Sequence, residues 1–253
     1  MLIRHGGEPG LECRLGAALF RWDRSDGTLD LGRVAFSGLA WRDPDGRTLW
    51  GWPGEAGRIE LRPADGRPEE CCLLPTALAL ALAIRRSRCD MGAVTLVTGE
   101  GIAARIARAV AAALGCRVSA GEDWTTEGER NGPRAPVVIE TTGHSSSFGL
   151  AVERCSDWGN VLSLGEALTS TPFDYYPDVH RRALTVMQVP DRPILLPGEE
   201  SIAERASVLL IDALQDIRPG PCEVLEVQVF PERASGRLLI EPGGWGLLRV
   251  EGP

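Results

Sequence analysis

The residues with the clearest chemical reading lie in TLVTGEGIAARIARAV, where Gly99, Gly101 and Ala104 are spaced as G-x-G-x-x-A. That spacing suits a pyrophosphate. The first glycine makes a tight turn, the second lets backbone approach the phosphates, and the small third residue lets a helix pack on the preceding strand. The free N–H groups of the helix start then face the negative charge. Glu122 comes about 20 residues later, where a carboxylate takes ribose hydroxyls and favours NAD over NADP. Thr141, Thr142 and Gly143 close the apolar run APVVIE, and Gly165 closes GNVLSL. Both groups are expected at strand ends.

Proton-transfer groups are fewer. Tyr175 and Tyr176 could donate to a carbonyl in a reductase without zinc, though such a pair is more often a loop anchor packed on the core. His144 is a third candidate. Gly143-His144-Ser145 echoes the G-x-S-x-G elbow of hydrolases, but Ser147 stands where the last glycine belongs. Ser145 or Ser146 is instead expected to cap a helix. His180, Arg181 and Arg182 read as an anion site or as a solvated, dimer-edge cluster. The seven cysteines never form C-x₂-C, and the three histidines are far apart, so no zinc is expected. Cys71 and Cys72 read as core packing. The tryptophans Trp22, Trp41, Trp50 and Trp52 read either as the wall of an apolar cleft or as filler of a small β lobe.

These side chains need a scaffold, and the pattern supplies one. GRVAFSGLAW and RTLWGW alternate between turn signals, as a β meander does. EECCLLPTALALALAIRRSR reads as one buried helix, with acids first and arginines last as the helix dipole prefers. VTLVTG, APVVIE, GNVLSL and ALTVMQV are apolar runs of the kind found in parallel strands covered on both faces. Helices are expected around IAARIARAVAAA, SFGLAVERCSD and EESIAERASVLLIDALQDI, and strands again at CEVLEVQVF, GRLLIE and GLLRVE. The fold class is therefore α/β, a Rossmann-like parallel sheet with a small N-terminal β lobe.

From about Arg58 onward the chain resembles the medium-chain dehydrogenase/reductase superfamily of zinc-type alcohol dehydrogenases. VTLVTGEGIAARIARAVAAALGCRV looks like that family's first βαβ unit. APVVIETTGHSSSFGLAVERCSDWGNVLSLG is similar to its fourth strand, next helix and fifth strand, and FDYYPDVHRRALTVMQV to the segment before its edge strand. The resemblance implies an NAD(P)-dependent oxidoreductase, with Thr141–Gly143 and Gly165 flanking the nicotinamide, that joins two cofactor domains edge to edge in a homodimer. It also implies a division into a GroES-like β lobe, 1–60, and a cofactor-type domain, 61–253, whose last strands return to the lobe. Two departures bear on chemistry. The β lobe is truncated and lacks the family's zinc ligands, so the protein is expected to be zinc-independent. Only a short polar stretch, DWTTEGERNGPR, joins Glu122 to Ala135, so the third strand of the usual sheet is expected to be missing and a loop to fill 123–134. That loss removes one wall of an adenine pocket. The alternative is a degenerate dehydrogenase fold that has lost its cofactor and serves as a binding or tailoring protein in natural-product biosynthesis.

Bulk properties narrow the rest. A net charge of −8 argues against a nucleic-acid surface. No apolar run is long enough to cross a membrane, and the first residues lack the apolar segment of a signal peptide, so a cytoplasmic site is expected. All 27 basic residues are arginine, which excludes a lysine Schiff base. The expected partners are a small-molecule or peptide substrate and a second copy of the chain. Gly101→Val is expected to block pyrophosphate while leaving the fold intact.

Overall fold

The computed structural model describes residues 3–4, 12–13, 17–21, 35–42, 45, 47–53, 59–87, 92–120, 134–164, 175–190, 193–217, 223–229, 234–240 and 245–251. Its contacts divide into two compact units, 1–78 with 195–253, and 79–194.

The second unit is a five-stranded parallel sheet. Its strands are β7 (Val94–Thr98), β8 (Arg117–Ala120), β9 (Ala135–Glu140), β10 (Cys155–Ser163) and β11 (Thr185–Gln188), in the order β11-β10-β9-β7-β8. All pairs are parallel. Among the described residues no strand lies beyond β8, and the stretch expected to replace a third strand lies outside them up to residue 133. Helix α3 (Gly101–Ala113) follows β7, and its Ile102, Ala103, Ile106, Ala107, Val110 and Ala111 are buried at helical spacing. Helix α4 (Ser145–Arg154) links β9 to β10. A cluster of Leu96, Ala135, Val138, Val152, Cys155, Val161, Val179 and Leu184 fills the space under it.

The first unit is a seven-stranded antiparallel sheet. It contains β3 (Ala17–Arg21), β4 (Ala35–Arg42), β5 (Thr48–Pro53), β6 (Ile59–Ala64), β12 (Glu223–Val229), β13 (Ala234–Ile240) and β14 (Trp245–Glu251). The order is β12-β13-β14-β3-β4-β5-β6, so the last strand of the chain pairs with β3. Strands β1 (Ile3–Arg4) and β2 (Glu12–Cys13) form a separate ribbon. Helix α5 (Glu200–Leu214) belongs to this unit as well.

The single helix expected over residues 69–88 is two. Helix α1 (Pro68–Cys71) stops, and α2 (Leu74–Arg86) starts with Pro75 in its first turn, where the missing N–H costs nothing. The break rests on β4: a Cβ at Gly38 would overlap the Cys72 carbonyl, so only glycine lets the helix junction come this close. Cys71 and Cys72 are fully buried there, as core packing requires. Trp50 is buried too, whereas Trp22 and the side chains of Trp41 and Trp52 lie outside the described residues.

Strand β10 begins at Cys155, earlier than the apolar run suggests. Its register jumps between Cys155 and Asn160, which extrudes Ser156–Gly159 as a bulge. Trp158 sits on that bulge with φ 64° and 83% exposure. No helix among the described residues is long and apolar enough to cross a membrane.

Candidate functional site

The strand order creates a switch point. From β7 the chain moves to β8 on one side and then returns to β9 on the other, so the turns leaving β7 and β9 diverge over a crevice at the carboxyl ends. Open α/β sheets bind ligands there. The strand ends align as a polar row, with Thr98, Glu140, Ser163 and Gln188 in mutual register.

Gly99 turns with φ 93° and Gly101 with φ 87°, both in the left-handed region that glycine tolerates. A Cβ on Gly99 would stand 2.5 Å from the Thr141 Oγ1 and 2.6 Å from the Thr142 Cγ2. The two turns therefore touch at the switch point, and only a bare backbone permits it. Ala104 is fully buried, as close helix–strand packing demands. The N-cap residue Glu100 is exposed and makes no side-chain capping bond, so it does not occupy the first N–H groups of α3. Arg108 on the same helix donates from Nη2 to the Gly99 carbonyl at 3.0 Å and pins the turn from behind.

Gly101→Val does not give the clean test expected of it. A β-branched residue at φ 87° strains the backbone on its own, so the variant confounds folding with binding.

The second turn is organised by a residue that sequence reasoning missed. Glu140 is 0% exposed. Its Oε1 accepts the Thr142 N–H at 2.7 Å, the Thr142 hydroxyl at 2.6 Å and the Gly143 N–H at 3.0 Å. Its Oε2 accepts the Ser163 hydroxyl at 3.3 Å. The Thr141 hydroxyl donates to the Thr98 carbonyl at 2.7 Å and locks the turn to β7. A charged residue closing the run PVVI was the available signal.

Of the remaining expectations, Glu122 and Gly165 lie outside the described residues. Gly143 is buried with φ 75°. His144, not a serine, is the N-cap of α4; it is exposed and its side chain makes no capping bond. Tyr175 and Tyr176 are 63% and 62% exposed rather than packed on the core. The Tyr176–His180 turn is π-helical, with the Tyr176 and His180 rings 5.5 Å apart. The turn leads into the amino end of β11, which runs parallel to β9 and β7, so it is not brought to the glycine turns at their carboxyl ends.

Arg182 is no solvated cation. Its Nη1 donates to the Val152 carbonyl at 2.8 Å, its Nη2 to the Cys155 carbonyl, and its Nε to Asp157 at 2.9 Å. It closes the C-terminus of α4 and the base of the bulge. Burial pushes the neighbouring Cys155 thiol up to about 11, so it is protonated at neutral pH. Among the described residues no group of three or more His, Cys, Asp or Glu side chains is placed to hold a metal.

By sequence, no protein-family model matches the chain and no curated protein matches it. Solved structures do. The chain is similar to galactitol-1-phosphate dehydrogenase from Escherichia coli, at 14% identity and TM-score 0.58, over 83% of this chain and 85% of that one. It is similar to acetophenone reductase from Geotrichum candidum in complex with NAD, at 14% identity and TM-score 0.56, over 81% of each chain. A third is YhdH of Escherichia coli K-12 with bound NADPH, at 14% identity and TM-score 0.54, over 80% of each. The likeness is one of fold: an α/β, Rossmann-like parallel sheet with a companion antiparallel sheet, shared with dehydrogenases and reductases.

Proposed function

We propose that the chain is a zinc-independent oxidoreductase of the medium-chain dehydrogenase/reductase type. It takes NAD or NADP and acts on a small or peptide-derived metabolite in specialised metabolism, in the cytoplasm and as a homodimer. One observation carries this reading: two glycine turns with positive φ meet at the switch point, where the β7 turn leads into α3. The NAD and NADPH bound to two of the similar structures support it.

A dinucleotide fits the residues present. The turn that opens α3 would meet a pyrophosphate, and Gly99 and Gly101 keep side chains out of its path. Thr141–Gly143, held rigid by Glu140, form the edge beside a nicotinamide. When bound, the cofactor supplies a two-electron transfer to or from a carbonyl carbon. His144, exposed on the same carboxyl edge, is the group we assign to moving a proton there. Zinc independence rests on the absent ligand spacing. The exposed edge strand β11 is the surface a second copy would extend.

A second reading has an observation of its own. Glu100 puts a carboxylate into the turn that would meet the phosphates, which suits a scaffold that has lost its cofactor. Calorimetric titration with NAD, NADH, NADP and NADPH separates the two. Saturation below about 1 mM, roughly −4 kcal/mol, is expected for the oxidoreductase. The absence of saturable binding by all four at that concentration would leave the scaffold standing.

A further inference from the structure

Helix α5 lies over the end of the β5–β6 hairpin within the first unit, and a cavity of about 790 Å³ opens between them. Its floor is apolar. Trp50 is buried, Ile211 and Ser207 are nearly so, and the Ser207 hydroxyl is turned back into the helix, donating to the Ala203 carbonyl at 2.7 Å. Pro63 and Ala64 complete the strand side. At one end the walls converge, because the Ile211 Cγ2 comes within 3.5 Å of a Cβ built on Gly66. At the lip, Val208 is 70% exposed and adds apolar surface beside the acids of the same helix.

The rim is mostly acidic. Asp65, Glu200, Glu204 and Asp212 line the cavity against a single guanidinium, Arg62, which leaves an excess of three negative charges. Glu200, Glu204, Val208, Ile211 and Asp212 share one stripe of α5 at i, i+4, i+8, i+11 and i+12, so acids and apolar groups face the same space. An anion is repelled by this rim, and a fully polar cation gains nothing from the floor.

We propose that this cavity binds a small organic ammonium, an amine carried on an apolar body that rests on Trp50, Val208 and Ile211 while its charge meets Glu200, Glu204 and Asp212. The volume suits a ligand of one or two rings. The proposal does not depend on the cofactor reading.

The test is calorimetry on the full chain with three probes of one shape: 2-phenylethylamine, 2-phenylethanol and phenylacetate. The amine is expected to saturate below about 1 mM, the alcohol to bind at least about five-fold more weakly, and phenylacetate not to bind. Val208→Arg sets a cation at the lip on an exposed position and is expected to weaken the amine at least about ten-fold with no loss of thermal stability. Glu204→Gln is expected to weaken it about three-fold, with less effect at high salt. Equal binding of amine and alcohol, undiminished amine binding by Val208→Arg, or no saturable amine binding would each overturn the proposal.

Discussion

Replacing Glu140 by alanine strands the donors that its carboxylate now satisfies. The Thr142 and Ser163 hydroxyls can rotate, and Thr142 is only half-buried, so water recovers part of their loss. The Gly143 N–H cannot turn, and it is buried. An unsatisfied buried donor costs about 1–3 kcal/mol, and hydrogen bonds to a charged acceptor are worth about 1.5–3 kcal/mol each. Taking one full penalty and partial loss of the rest, Glu140→Ala should cost about 3–4 kcal/mol. For a chain of this size that lowers Tm by about 6–16 °C. Glu140→Gln keeps the volume and one acceptor for the Thr142 and Gly143 N–H groups, and its amide can donate to the Ser163 hydroxyl. Its cost should be about 1 kcal/mol. Urea unfolding with an unchanged slope measures both, and hydrogen exchange over 141–150 localises the loss. If Glu140→Ala stays within about 1 kcal/mol of the wild type, the carboxylate does not organise the turn and the reasoning fails.

Arg182→Ala should cost about 1–3 kcal/mol in thermal unfolding by taking the guanidinium donor from the Cys155 carbonyl and leaving the Val152 carbonyl with the Cys155 N–H alone. Arg182→Lys should recover little of it, because one ammonium cannot span the three acceptors that the fork reaches; full rescue by lysine would show that charge alone matters. Cys155 has a folded value raised from 9.0 to about 11, so the folded state prefers the protonated thiol. Its contribution to stability is full below about pH 9 and falls as pH rises toward 11, and Cys155→Ala should flatten the decline in that window when unfolding is followed against pH. Glu100→Gln removes a carboxylate from the glycine turn and should tighten NAD(P) binding about three- to five-fold, near 1 kcal/mol for an exposed pair of charges. An unchanged affinity by calorimetry would place that carboxylate away from the phosphates.

Much of the parallel unit was legible because its signals are local. Apolar runs of strand length, the glycine spacing and an alanine-rich amphipathic stretch each state their own element, and β7, α3 and β9 lie where those signals put them. What escaped depended on contacts distant in sequence. The break between α1 and α2 is set by Gly38 on another strand. Arg182 reads as surface charge until the carbonyls of Val152 and Cys155 come into its reach. Glu140 looked like the polar end of a strand, and its role as the resident anion of the next turn needs Ser163 from a neighbouring strand to be visible. The start of β10 was misplaced because its bulge inserts residues that the partner strand does not count.

The pairing of β14 with β3 has a consequence for biosynthesis. Residues 79–194 form a contiguous unit and can collapse as soon as they leave the ribosome. The strands β3 to β6 emerge earlier, yet the edge of β3 stays open until β14 arrives, after β7 to β13 have been made. Closing so long a loop is slow, and an uncovered edge is a template for intermolecular pairing in the meantime. The nascent chain is thus most exposed to aggregation through its oldest segment, and the interval of risk lasts as long as translation of everything that follows.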